Sequence, residues 1–320
     1  MDVVGIGYPC IDFLINIDKF PESNSGTRLR DYSWQGGGKV PTALVALGRL
    51  GIPTGLLGTA GDDAFGMFNI EDFKRHGVDT SRFIIDRGKS TSLSIPISET
   101  EKHARSFIFN FGTCRRLELA DLDEGYIASA KILHLSDTNA LSLAAARMAH
   151  AHGLLVTIDA DAHHGQYPME DFKLLDVLVG SEFFYTTHFK DNDYEKNCRD
   201  IMERGPKVVV FTFGERGCVG MDKENGYFEL PAFHVQAADT TGAGDVYHGA
   251  FIYGLLQGWT TKETARFASA VSAIKCTRLG GRAGIPDLKT TQQFLKDGTI
   301  DYGDIDKRVE FYRNLPGSAR

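Results

Sequence analysis

Seven consecutive residues carry the clearest chemistry in this chain: Asp239-Thr240-Thr241-Gly242-Ala243-Gly244-Asp245. Three small residues precede an acid, and an apolar helical pattern starts at once. Small residues let a backbone approach a ligand closely. A helix start leaves N–H groups unpaired and carries partial positive charge. Together these make an anion site suited to a phosphate. An aspartate in the first helical turn stands beside that site and can take a proton from an attacking alcohol. Positioning, charge neutralisation and a base are what phosphoryl transfer asks of a protein. The plainer reading of the same run is a glycine turn with Asp245 as a helix-capping acid.

The elements that must hold this run are legible from periodicity. Val3-Val4-Gly5-Ile6-Gly7 reads as a short buried strand. Ile15, Ile17 and Phe20 alternate with polar residues, as do residues 90–97 and 105–111, which predicts half-exposed strands. Gly36-Gly37-Gly38 opens a helix in which Ala43, Leu44, Leu47 and Leu50 recur at helical spacing, and Gly51 ends it. A strand near 54–58 and a helix near 65–76 follow. Further on, short apolar strands at 132–135, 154–158, 177–179 and 208–212 alternate with helical stretches such as 140–152 and 194–204. That alternation predicts a doubly wound, mainly parallel sheet flanked by helices. A hairpin near 218–230 and helices near 244–257 and 262–276 complete the pattern, and the polar tail beyond Asp297 reads as a surface helix. The expected architecture is one α/β domain over residues 1–320, with a small β extension from segments about 10–35 and 88–112.

The Asp239–Asp245 run resembles the C-terminal signature of the PfkB (ribokinase-like) family of carbohydrate kinases. The resemblance implies that Asp245 is the catalytic base and that Gly242, Ala243 and Gly244 form the anion hole, with Asp239 and Thr240 beside the phosphates. Gly37-Gly38-Lys39 and the helix ending Gly48-Arg49-Leu50-Gly51 are similar to the N-terminal signature, whose glycine pair packs against the sugar. Asp12 matches the acid that bonds sugar hydroxyls. Residues 60–66 and 76–79 resemble further family segments. Val208–Gly217 resembles the strand-turn of the nucleotide site, which puts Thr212, Gly214 and Gly217 near ATP. Residues 268–281, Ser269 among them, resemble the helix and loop beside the adenine. The early alternating strands match a β lid over the sugar that also pairs subunits, which implies a homodimer. ATP and Mg2+ are the implied cofactors, and a ribokinase-like fold is the implied architecture.

Two positions depart from the family pattern. Thr42, after Pro41, stands where an Asn usually binds the sugar; a hydroxyl lacks the two-sided amide, so ribose recognition is not expected. Ser181 and Phe184 stand at the ends of the Asn-x-x-Glu stretch that organises magnesium. Glu182 remains there and could act through water, since magnesium keeps several waters; its plainer role is to cap the next helix. Lys39 could reach a substrate oxygen or lie in solvent. His103, Arg105 and Asn110 fall on the lid segment, and Arg105 with Asn110 are sugar-contact candidates, Arg105 suiting an anion. His163-His164 reads as a surface turn before Gly165, and His248 as a packed or solvated helical histidine. Arg115-Arg116 and the acids at 121–124 read as solvated faces.

Bulk properties narrow the class. The formal charge of −7 over 320 residues gives no basic footprint for nucleic acid. No apolar run reaches the length of a membrane helix, and no polybasic segment suggests a membrane surface. Five scattered cysteines without a CxxC pair argue against a disulfide framework or a thiolate zinc site. With no signal-peptide pattern, the expected place is the cytoplasm. Three functions remain: a kinase for a hydroxyl, expected to be primary, of a sugar or sugar derivative; a nucleoside kinase of the same fold, with Phe107, Phe109 and Phe111 as a slot for the base; and a non-catalytic sugar-binding protein on the kinase scaffold, which Thr42 and Phe184 motivate. A dinucleotide oxidoreductase is weaker, because Gly5-Ile6-Gly7 lacks the third glycine and no helix opens there.

Overall fold

The computed structural model describes residues 1–101, 104–161 and 169–314, without the side chains at 104, 105, 170 and 171. His103 and the His163-His164-Gly165 turn lie outside the described residues. The chain begins β1 (Val3–Ile6), β2 (Cys10–Ile17), β3 (Leu29–Gly37), α1 (Lys39–Arg49), β4 (Thr54–Leu57), β5 (Thr59–Gly61) and α2 (Ala64–Arg75). It continues with β6 (Val78–Asp79), β7 (Ile84–Asp86), β8 (Ser92–Glu99), β9 (Ala104–Asn110), α3 (Glu124–Ala128), β10 (Ile132–Leu135) and α4 (Ala140–Ala151). Then come β11 (Leu155–Ala160), β12 (Val177–Ser181), α5 (Glu182–His188), α6 (Tyr194–Met202), β13 (Val208–Thr212), β14 (Cys218–Asp222) and β15 (Gly226–Leu230). Four helices close the chain: α7 (Ala243–Leu256), α8 (Thr261–Cys276), α9 (Leu288–Asp297) and α10 (Gly303–Phe311).

Nine strands form the large sheet in the order β15-β14-β13-β12-β11-β10-β1-β4-β6. Strands β6 through β13 in that order are parallel, and the β13–β14–β15 edge is antiparallel. Strand residues alternate between two cores, as the two-residue period requires. Val4, Leu133, Leu178 and Val209 face the core that contains α4, α5 and α6 residues. Val3, Ile132, Val177 and Val210 face the one that contains α1, α7 and α8 residues. Both faces are therefore covered, and short continuous apolar strands are the sequence signature of that arrangement.

The chain order reverses between β1 and β10, so the crevice at the carboxyl ends of these strands is the expected ligand position for an open α/β sheet. A separate four-stranded sheet, β3-β2-β8-β9, rises from that end of β1. Its strands coincide with the predicted β extension; β8 starts and ends two residues later than expected. Among the described residues no helix is long and apolar enough to cross a membrane.

The tail beyond Asp297 forms the helix α10, mostly exposed, and the residue after it is anchored in the core. Tyr312 is fully buried, and its hydroxyl donates to Asp72 Oδ1 at 2.6 Å and lies 3.0 Å from His76 Nε2. Its carbonyl accepts from Trp34 N on β3 at 2.6 Å. Ile305 packs in a small core cluster and buried Arg308 donates to Ala283 O and Ile285 O, so the attachment is spread over isolated residues that a polar sequence does not display.

Candidate active site

Helix α7 begins at Gly242, whose φ of 71° lies in the left-handed region. A Cβ there would lie 2.8 Å from Gly281 Cα, so the turn requires glycine on two counts. Ala243 N bonds to Thr240 O and Val246 N to Gly242 O. The N–H groups of Gly244 and Asp245 take no acceptor among the described residues, as expected in a helix's first turn. Asp245 sits there, partly buried. Burial, reinforced by the charge of Asp159, pushes its carboxyl up to about 6, with Asp12 adding in the same direction and Lys39 and His248 opposing.

Helix α7 is buried along most of its length, so its N-terminus is fixed by packing. Gly249 permits the closest contact: a Cβ there would lie 2.4 Å from Ala43 O of α1. That approach brings the start of α1 to the start of α7. Thr42 is buried beside Gly281, and Lys39 reaches Asp161 at 3.2 Å and Asp159 at 3.9 Å. Asp159 is the next-to-last residue of β11, and His248 Nε2 from α7 lies 3.2 Å from its Oδ1. Burial would raise Asp159, but His248 and Lys39 beside it hold its carboxyl well below the usual range.

On the opposite side of Asp245 the small sheet supplies Asp12 and Gly37. A Cβ at Gly37 would fall 2.3 Å from Asp12 Oδ2, so glycine leaves room for that carboxylate. Asp12 is buried and pushed up to about 6 chiefly by burial, with bonds from Cys10 and Ser94 opposing. Gly38 (φ 94°) turns the chain into α1. Asn110 is exposed on β9, and its Oδ1 accepts from Gly112 N at 2.9 Å. Arg105 lies on β9, and its side chain is outside the described part.

The predicted nucleotide-side residues other than Asp239 line one cavity of about 340 Å³. Thr212, Gly214 and Gly217 line it from the end of β13, Ser269 from α8, and Thr240, Ala243 and Gly244 from the run that starts α7. Its lining is mainly apolar, with backbone and hydroxyl groups at the α7 end, which suits a base at one end and phosphates at the other. Asp239 is turned away from it. Its Oδ1 accepts from Thr241 N at 3.0 Å and Oγ1 at 2.9 Å, and its Oδ2 from Gly280 N at 2.8 Å. Asp239 thus organises the loop from beneath.

The Asn-x-x-Glu departures have structural consequences. Phe184 is fully buried against Phe172 and Phe211, where a carboxylate would be stranded. Ser181 caps α5 and donates to Asp161 Oδ1 at 3.2 Å. Glu182 is exposed and pairs with Arg216 at 2.6 Å. Among the described residues no three metal-ligating side chains form a cluster.

Sequence reasoning missed Asp159, Asp161 and the placement of His248. His248 lies three residues after Asp245, so the two share a helix face, and that spacing was the available signal. Asp159 and Asp161 gave none, since only the order of strands brings β11 beside β1's end of the sheet.

A strand-end crevice, a helix-start anion site with a carboxylate, and an adjacent cavity define a phosphotransferase of α/β type. The chain matches the pfkB family carbohydrate kinases over residues 1–288 and belongs to that family. It is a kinase that phosphorylates a hydroxyl of a sugar or sugar derivative. It is similar to the 5-dehydro-2-deoxygluconokinase of Clostridium perfringens, with 28% identity covering 95% of each chain. It is equally 28% identical to the nucleoside kinase of Methanothermobacter thermautotrophicus, over 94% of this chain and 97% of that one. Its fold is ribokinase-like. Thermotoga maritima ribokinase superposes with a TM-score of 0.80 at 24% identity, over 93% of this chain and all of the other. The Arabidopsis thaliana ribokinase complexed with ribose and ATP superposes at 0.79 and 21%, over 92% and 98%.

Proposed function

We propose that ATP occupies the 340 Å³ cavity with its phosphates at the start of α7, and that Asp245 takes the proton of a primary hydroxyl as it attacks the γ-phosphorus. The observation that carries this reading is the position of Asp245: it stands beside unpaired first-turn N–H groups, next to the cavity, and within the field of Asp12 across the crevice. Gly242 to Gly244 neutralise charge on the transferring group, and Thr212, Gly214, Gly217, Thr240 and Ser269 bind the nucleotide. Asp12, Gly37, Gly38, Lys39 and Thr42 hold the acceptor, with Arg105 and Asn110 reaching it from the small sheet acting as a lid. Glu182 is the residue that would hold a nucleotide-borne magnesium ion, through water. The ion supplies charge neutralisation on the phosphates. A lid that excludes water suppresses loss of ATP to hydrolysis.

The acceptor class we favour is a sugar acid. Several relatives at 27–28% identity are named 5-dehydro-2-deoxygluconokinase, and Thr42 argues away from ribose. Two copies pair through the small sheet, whose edge strand β9 exposes Phe107 and Phe109, with Phe111 exposed just after it. The five free thiols suit the reducing cytoplasm.

An ADP-release screen over sugar acids, ketoses, aldoses, phosphosugars and nucleosides tests the reading. The expected result is turnover with 5-dehydro-2-deoxygluconate or a close analogue, well above the acceptor-free rate. Calorimetric sugar binding with no ADP from any acceptor would leave the non-catalytic scaffold as the answer.

A further inference from the structure

Lys275 is a lysine with no solvent exposure, in the last turn of α8. Burying an ammonium costs several kcal/mol unless its surroundings compensate. Val271 and Ile274 on the same helix show that an apolar residue fits this core. The compensation comes from main-chain carbonyls: Lys275 Nζ donates to Asp239 O at 2.9 Å and also to Thr241 O. Both carbonyls belong to the loop that opens α7.

A trans peptide points its carbonyl and the following N–H in opposite directions. With Asp239 C=O and Thr241 C=O drawn onto the ammonium, the N–H groups of Thr240 and Gly242 point away from α8. Thr240 lines the nucleotide cavity, and Gly242 begins the anion hole. The rest of the loop is tied down as well. Ala238 N and Asp239 N bond to Cys276 O at the end of α8, and Ser272 Oγ donates to Ala243 O at 2.9 Å. Removing the ammonium would leave two buried carbonyls and the Asp239 carboxylate close together with nothing positive between them. The cheapest relief is a flipped peptide, which would turn an N–H out of the hole.

We infer that Lys275 is a positioning residue: its fixed ammonium sets the peptide orientations that aim the loop's N–H groups at the transferring phosphate. This rests on the phosphoryl-transfer reading above. The charge, not the volume, is the working feature, so variants of similar size separate the two.

The test compares Lys275→Met, Lys275→Arg and Lys275→Ala with wild type, using the acceptor found in the ADP-release screen. Lys275→Met should lower kcat about 10²-fold, the usual cost of losing one oxyanion donor. Its acceptor KM should stay within about threefold, since only transition-state interactions are lost. Lys275→Arg, which keeps the charge, should recover at least about tenfold of that loss. Methylammonium should partly restore Lys275→Ala, and tetramethylammonium, too large for the space, should not. A folded Lys275→Met with kcat within about threefold of wild type, or Lys275→Arg no better than Lys275→Met, overturns the inference.

A second arm needs neither turnover nor a folded variant. In the wild-type chain, Lys275 is the buried lysine among the described residues, so its ammonium should give an exchange-protected 15N signal. MgADP with aluminium fluoride should shift that signal. An unshifted signal in the saturated complex contradicts the inference. If wild type transfers no phosphoryl group to any acceptor, the reaction reading fails by itself, and the spectroscopic arm still decides whether Lys275 senses an anion at the loop.

Discussion

The two halves of the crevice are built differently. The half proposed for the nucleotide is made of four short stretches, 212–218, 232–237, 240–247 and 269–276, and its polar groups are mostly backbone and hydroxyl. The half proposed for the acceptor is assembled from side chains far apart in sequence: Asp12, Lys39 and Thr42, with Asp159 and His248 beside Lys39 and Asp245. A phosphate is the same in every kinase, so a backbone cradle with little side-chain identity suffices for it. An acceptor differs from enzyme to enzyme, and only side chains can follow that difference.

Beneath the acceptor half lies a buried polar network, and its disruption gives the largest stability effect. Arg282, with no exposure, pairs with Asp72 at 2.6 Å and donates to Gly37 O at 3.1 Å. Gln35, equally buried, accepts from Arg282 N and Ala283 N. Arg282→Met removes the charged partner of the buried Asp72 carboxylate, leaving it the Tyr312 hydroxyl and His76, and should cost about 3–5 kcal/mol in urea unfolding. A loss below about 1 kcal/mol would mean that the network does not brace Gly37 as described.

A mutation on the nucleotide side should leave the fold intact and cut the rate. Gly242→Val puts a β-branched residue at φ 71° and drives its Cβ toward Gly281. We expect kcat to fall about 10²-fold, with the acceptor KM changed far less. Equal losses in kcat and acceptor affinity would erase the distinction between the halves.

Proton linkage sharpens the comparison next. Asp245, pushed up to about 6, must be ionised to act, so kcat/KM should rise with pH to about 6 and then level. Asp159→Asn removes a charge that raises Asp245 and should move that limb to lower pH. Stability runs the other way at Asp12. A carboxyl whose folded pKa is raised to about 6 binds more protons folded than unfolded, so its contribution to stability declines as pH rises from about 4 to about 6. Asp12→Asn should therefore unfold at higher temperature than wild type at pH 7.5 and match it near pH 4. The opposite order at pH 7.5 would contradict the burial of that charge.

The smallest effect is expected at Thr42. Thr42→Asn should change acceptor KM several-fold and reorder preferences among sugars, with nucleotide KM unmoved. A shifted nucleotide KM alone would place Thr42 in the wrong half.

This division also explains what could be read from the residues alone. The large sheet was legible because buried parallel strands are apolar runs and their helices keep a 3.6 period. Helix α9 was not, although Leu288, Phe294 and Leu295 face the core, because the helix is short and five polar residues separate its first apolar residue from the next. The glycine run before Asp245 and the strand-turn after β13 could be located because each is contiguous. Asp159, Lys275 and Arg282 could not: a charged residue in sequence looks solvated, and only the approach of α8, β11 or the 279–283 loop makes it internal. His248 illustrates the limit, since its spacing from Asp245 was visible while its partner Asp159, far earlier in the chain, was not.

The central claim is that Asp245 is the base for transfer, and one paired measurement tests it directly. Wild type and Asp245→Asn are compared for rapid-quench transfer of the γ-phosphoryl group to the acceptor and for MgADP binding by calorimetry. The account predicts a loss of transfer of about 10³-fold or more, with nucleotide affinity within about threefold. Near-normal transfer by Asp245→Asn would contradict it.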